Sequence, residues 1–371
     1  MIEPVHSAAL TRRRFLTLAA AAVAVPVVTG CGTVKIASGT PGRAGTPGPP
    51  ADGPGSFRAD GIRAQVDTPP PPVGPDGFQG PLLSAAAAQL RGDSLLVLSY
   101  HNIYADGPAE AAPTDTYSVS ASAFAAHVDL LRRSGFQSVS ISQVARARRS
   151  GRPLPSGSVL ITFDDGDADQ WIYADRILAA AGFCATAFVI TSHLGESPGH
   201  LTWPETVAMA GSGRWEIGAH THDLHHFVRT APSGARASVL INRTWDPVTG
   251  LQSAGDARAG FETDLQASLT KIAQAGIAPP QAFAYPFSQW AAPTNDPEFA
   301  THVRHRLADT FPLLFTNTFP GRTARPQDLR SGVLPRLEVR RDMSLLDVYD
   351  QIRAADTISG IGDIPGSAVG G

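Results

Sequence analysis

Two clusters of residues in this chain could do hydrolytic chemistry. Leu160-Ile161-Thr162-Phe163-Asp164-Asp165-Gly166 is an apolar run that ends in adjacent carboxylates and a glycine. Successive strand residues point to opposite faces, so the two Asp serve different partners only if the backbone turns, which Gly166 permits. The second cluster, Glu216-Ile217-Gly218-Ala219-His220-Thr221-His222-Asp223-Leu224-His225-His226, gathers four of the 11 histidines behind another apolar run. Neutral imidazoles with a carboxylate make a borderline nitrogen and oxygen donor set, suited to Zn and its first-row neighbours. His220 and His225 stand five apart, so they reach one ion only from a loop or turn. Taken singly, Asp-Gly is an ordinary turn and a histidine an ordinary structural residue. It is the pairing of the two clusters that points to a metal site.

Residues so far apart need a scaffold to converge. Strand-like runs occur at Leu95–Tyr100, Val159–Phe163, Ala185–Ile190, Glu216–Ala219, Ala282–Tyr285 and Leu314–Thr316, with a weaker one near Val139–Ile141. Between them helical spacing predicts Ala121–Ser134, Asp169–Ala181, Trp203–Ala210, Phe261–Ala275, Pro297–Leu307 and Leu345–Arg353; Ser120 is a candidate cap and Gly135, Gly182 and Gly276 are candidate stops. The alternation predicts an α/β fold, a distorted (β/α) barrel of about seven parallel strands, with functional residues at the C-terminal ends of the strands.

The rest of the chain reads as delivery. Arg12-Arg13-Arg14 precedes an apolar stretch to Val28 that is too short for a transmembrane helix and carries Pro26. Its Arg pair followed by Phe15-Leu16 resembles a twin-arginine export signal, and Val28-Thr29-Gly30-Cys31 resembles a lipobox in which Cys31 is lipidated. Of the 41 residues from Pro41 to Pro81, 20 are Gly or Pro, a composition that predicts an extended tether. The expected organisation is a signal peptide with lipobox at 1–31, a linker at 32–92, one catalytic domain at 93–355 and a Gly-rich tail at 356–371. With 30 basic and 33 acidic residues, the charge of -3 gives no global field for nucleic acid. From the export signal and lipobox, the expected location is the cell surface, as a lipoprotein on the outer face of the cytoplasmic membrane. Two cysteines allow at most one disulfide, and Cys184 reads as a buried apolar residue.

Thr162-Phe163-Asp164-Asp165-Gly166, followed by a His-Thr-x-x-x-His run, resembles the polysaccharide deacetylases with NodB homology, carbohydrate esterase family 4. Leu98-Ser99-Tyr100-His101-Asn102 and the five-residue His spacing are similar to the circularly permuted branch that acts on poly-β-1,6-N-acetylglucosamine. The resemblance spans roughly Leu95 to Arg340. It implies that Asp165, His220 and His225 ligate one divalent metal, Zn first with Co, Ni or Fe as alternatives. It further implies that Asp164 is the general base and His101 the general acid. In the family's Arg-x-Pro-Tyr motif the Arg steadies the base and the aromatic residue lends a backbone N–H to the oxyanion. The matching run here is Ala284-Tyr285-Pro286-Phe287, in which Phe287 keeps the N–H and Ala284 cannot supply the guanidinium. Arg336, in Leu334-Pro335-Arg336, is the candidate substitute.

The function so implied is metal-dependent N-deacetylation of an exported N-acetylglucosamine polymer, alongside an exopolysaccharide synthase as partner. Two other readings compete: a tethered carbohydrate-binding lipoprotein that has lost turnover with the Arg, and a deacetylase of peptidoglycan or chitin-like oligomers. Trp203 and Tyr285 are further candidates to touch the sugar. His222 and His226 read as loop residues, Asp223 as a candidate to hold a ligand His, and His193 and His200 as groove neighbours without an assigned role.

Overall fold

The computed structural model describes residues 58, 60–66, 83–90, 93–107, 113–317 and 322–357. The signal segment, Cys31 and most of the linker and tail lie outside them. Seven parallel strands form a closed barrel: β1 (Leu96–Tyr100), β2 (Ser158–Phe163), β3 (Ala185–Val189), β4 (Trp215–Ala219), β5 (Ala282–Ala284), β6 (Leu313–Asn317) and β7 (Val333–Glu338). Each strand pairs with the next in the chain, and β7 closes onto β1 through Leu98 and Leu337. Both faces of these strands are covered, which is why β1, β2 and β3 are buried at every position and are mainly apolar rather than alternating.

Alternate residues divide the core. Val97, Leu160, Phe188, Ala284, Phe315 and Leu334 fill the barrel interior, while Leu96, Leu98, Ile161, Phe163, Ala187 and Leu337 pack outward against the helices. The interior is tight at Gly218, where a Cβ would meet the Phe188 ring at 2.3 Å. Around the barrel run α1 (Ser84–Gln89), α2 (Ala121–Arg133), α3 (Ile141–Ser150), α4 (Asp175–Ala181), α5 (Trp203–Gly211), α6 (Ala254–Gln274), α7 (Pro297–Thr310), α8 (Pro326–Ser331) and α9 (Leu345–Thr357). Ser120, Ser140, Thr202 and Ser253 accept a backbone N–H from the first turns of α2, α3, α5 and α6.

Three expectations need correction. The seventh barrel strand is β7, which Pro335 disguises by interrupting a strand-like pattern. The weak run near Val139 contributes only a short strand at Gln137–Ser138, beside the start of β2, after which Ser140 caps α3. The 254–260 turns of α6, polar and Gly-containing, extend that helix seven residues earlier than apolar spacing predicts. Within the stretch read as linker, Leu83, Ala86, Ala87 and Leu90 are buried in the main core. Further upstream, Arg63 makes a two-point ion pair with the buried Glu205 of α5, at 2.8 and 2.7 Å. Packing against the domain thus begins well before residue 93.

Candidate metal-hydrolase site

The C-terminal ends of the strands bring the two clusters together. Asp164 follows β2 and keeps the inward direction of Leu160 and Thr162. Asp165 adopts φ 69° and Gly166 φ 82°, and this left-handed step turns the second carboxylate away from the first. His220 leaves the end of β4, Thr221 bends the chain at φ 75°, and His225 returns on the following turn. The Nε2 atoms of His220 and His225 lie 3.5 and 3.4 Å from Asp165 Oδ1. The loop expected from the five-residue spacing is present, and among the described residues these three have ligand atoms within 4.8 Å of one another.

The donor chemistry fits a divalent ion. Asp165 Oδ1 is buried with no hydrogen-bond partner, although it faces two imidazoles. His220 Nδ1 is 2.8 Å from the Ala284 carbonyl, to which only a protonated Nδ1 can donate, so Nε2 is the ring nitrogen left facing Asp165. Burial opposes ionisation of Asp165, but His220, His101 and His225 outweigh it and hold the carboxyl well below the usual range. Burial and the neighbouring His220 together lower His225 to about 4, which keeps it unprotonated and free to ligate at neutral pH. A cation here would meet one carboxylate and two imidazoles, leaving coordination positions open to water and substrate.

Asp264, on α6, was not among the residues singled out in the sequence. Its carboxylate accepts the N–H groups of His222 at 2.9 Å, Asp223 at 2.7 Å and Leu224 at 3.1 Å, and so fixes the turn that carries His225. The available signal was its spacing from Phe261 and Leu265, which places a carboxylate on the buried face of a helix.

Asp164 is 3 % exposed and Arg336, from the middle of β7, is 1 % exposed. The guanidinium donates to both carboxylate oxygens at 2.7 Å, a bidentate geometry inside the barrel. It also reaches Thr162 Oγ1 at 3.3 Å and Asn317 Oδ1 at 2.8 Å. Burial would raise Asp164, yet Arg336, His220 and His101 overcome this and keep it below the ordinary carboxylate range. His101 follows β1, with Nε2 3.9 Å from Asp164 Oδ2 and its ring 4.6 Å from that of Tyr117.

His101, Asp164, Asp165, His220, His225, Tyr285 and Phe287 line one cavity of about 1050 Å³. Phe287 and Ser288 both have left-handed backbones, at φ 53° and 57°, each costing on the order of 1–3 kcal/mol for a residue with a side chain. Three hydrogen bonds hold this step, from Ser288 N–H to Tyr285 O, Thr316 Oγ1 to Ser288 O and Asn317 N–H to Ser288 Oγ. Trp203 is not part of the cavity. It begins α5 behind the Thr202 cap and packs on the main core beside Gly195, so helix-start packing accounts for it. His222 and His226 contact Thr191 and the Asp223 carbonyl instead of the site, and His193 pairs with His200 at 3.2 Å outside the cavity lining.

Residues 151–298 match the family profile of polysaccharide deacetylases. That segment carries the match to the polysaccharide deacetylase family. Over 167 residues it is 29% identical to the poly-β-1,6-N-acetyl-D-glucosamine N-deacetylase of Escherichia coli (strain K12), covering 41% of this chain and 24% of the relative. Over 121 residues it is 33% identical to the enzyme of the same name from Staphylococcus aureus (strain MSSA476), covering 32% of this chain and 41% of the relative. The chain therefore spans less than half the length of either. In fold, the chain resembles a de-N-acetylase from Aggregatibacter actinomycetemcomitans, with TM-score 0.60, 22% identity and coverage of 70% of this chain and 99% of that one. It also resembles the BpsB deacetylase domain of Bordetella bronchiseptica, with TM-score 0.53, 23% identity and coverage of 67% and 96%. His101 and Arg336 both lie outside the 151–298 segment, and barrel closure returns them to it.

Proposed function

We propose that this chain is a hydrolase that removes acetyl groups from an exported N-acetylglucosamine polymer, with the β-1,6-linked polymer as its substrate. The observation that carries the reading is the placement of a carboxylate held by Arg336 beside an Asp-His-His donor set, in one cavity with His101. The names of the curated relatives support the β-1,6 linkage.

Asp165, His220 and His225 would hold a divalent ion, Zn first, which when bound acts as a Lewis acid on the acetamide carbonyl and makes water more acidic. Asp164 accepts the proton of the water that attacks the carbonyl carbon. Arg336, through its two hydrogen bonds, holds Asp164 ionised and oriented until it takes that proton. The N–H of Phe287, a residue of the cavity wall, is the donor assigned to the developing oxyanion. His101 delivers a proton to the sugar nitrogen as the C–N bond breaks, so the products are acetate and a free amine.

The test is acetate release from β-1,6-linked N-acetylglucosamine oligomers and from chitin oligomers, after chelation and after Zn, Co or Ni is restored, with Asp165→Asn alongside. Metal-restored acetate from the β-1,6 oligomers, lost in Asp165→Asn, supports the reading. Acetate from chitin oligomers alone redirects the substrate, and glycan binding without acetate returns the protein to a binding role. That last reading drew on Ala284, and the Arg336 contact with Asp164 removes its motive. Export and a lipid on Cys31, with a synthase at the same membrane, belong to this proposal on sequence grounds; mass spectrometry of the mature N-terminus tests the lipid.

A further inference from the structure

After the turn that carries His225, and before α6, the chain makes an excursion. A short strand, Phe227–Arg229, pairs antiparallel with Arg236–Ser238. The excursion is tied down: Arg236 donates from Nη2 to the Phe227 carbonyl, Val239 N–H donates to the His226 carbonyl, and the Arg229 guanidinium lies 5.4 Å from the Trp245 ring centre. Its first residue presents an aromatic ring to the cavity rim, 40 % exposed. The ring centre of Phe227 is 4.3 Å from that of Phe287, and Phe287 is 4.5 Å from that of His225.

Phe287 is itself 38 % exposed, on the left-handed backbone step that three hydrogen bonds hold. A fold that spends strain to keep a large apolar ring in water uses that ring for something outside the core. Two adjacent rings from separate segments, one of them against a metal-site histidine, make an apolar ledge continuous with the reacting centre. The C–H faces of a pyranose are apolar and lie flat on such rings, while its hydroxyls find polar neighbours in Ser288 and Gln289 on the same wall. The cavity, at about 1050 Å³, exceeds what one small ligand fills.

We propose that Phe227 and Phe287 form a stacking ledge for the sugar ring adjacent to the one being deacetylated, which makes the site selective for chains over single sugars. The proposal rests on the glycan-hydrolase reading and names where that glycan extends.

The decisive measurement is calorimetric binding of a β-1,6-linked N-acetylglucosamine pentasaccharide and of N-acetylglucosamine itself to the purified full chain and to Phe227→Ala and Phe227→Trp. The affinity advantage of the pentasaccharide over the single sugar should fall about tenfold in Phe227→Ala and return in Phe227→Trp. In turnover, the same loss should appear in KM for the pentasaccharide with kcat retained. An advantage that survives Phe227→Ala in protein that still melts cooperatively overturns the ledge. A ledge-dependent affinity in protein that releases no acetate would leave the ledge standing and overturn the hydrolase reading instead.

Discussion

Arg336 and Asp164 are 172 residues apart in the chain and meet at 2.7 Å through both carboxylate oxygens. The contact joins β7 to the end of β2 across the barrel interior, where Asn317 and Thr162 take further guanidinium N–H groups. Ala284, at the position of the family's Arg, accepts from His220 Nδ1 through its carbonyl. A backbone group orients the histidine and a distant strand supplies the charge.

The pair predicts how Arg336 variants behave. Arg336→Lys keeps the charge and loses the planar fork, so kcat should fall about a hundredfold while zinc affinity stays within a few-fold, because Arg336 touches no proposed ligand. Arg336→Ala leaves Asp164 buried and unpaired and should also cost about 3–5 kcal/mol of stability. Steady-state kinetics, zinc titration and denaturant unfolding on the same preparations check both statements.

Asp264 predicts a loss of metal affinity from a residue that touches no metal. Asn at this position keeps one acceptor and turns an NH2 toward backbone donors, which loosens the turn of His222 to Leu224. Asp264→Asn should weaken zinc binding about 10–100-fold, read by competition with a chromophoric chelator, with helix content unchanged.

Metal binding should stabilise the native chain, since the donor set converges only in the fold. At zinc a hundredfold above its dissociation constant the gain is about 2.7 kcal/mol, seen as a raised melting temperature. In His225→Ala, one of three ligands is gone, and zinc at the same concentration should leave the melting temperature almost unmoved.

His127 sets an acid limit on stability that is independent of the site. It is fully buried on α2, 3.3 Å from the Tyr100 hydroxyl, and burial lowers it from 6.5 to about 4. The unfolded state then binds more protons between these values. Its contribution is therefore intact above pH 6.5 and is lost as pH falls toward 4, on the order of 3 kcal/mol in all. His127→Gln should flatten this part of the stability curve, measured by denaturant unfolding at a series of pH values.

Local order is what the sequence by itself determined. The runs ending at Tyr100, Phe163 and Ala219 are apolar because both strand faces are buried, and that same burial marks where His101, Asp164 and His220 emerge. The Asp-Asp-Gly step and the five-residue His spacing carried the donor set, since Gly166 and a loop were the only ways for those side chains to converge. Closure was beyond it. Pro335 masks β7 as a strand, so the last barrel element, and the direction of Arg336 into the interior, depend on pairing with β6 and β1. Asp264 and Phe227 reach the site from segments with no chemical motif, by helix packing and by an excursion of the chain. Trp203, at a helix start that looked available to sugar, was claimed by the core. Short-range propensity and pattern are written residue by residue, whereas a contact across 172 positions exists only once the strands between have taken their order and register.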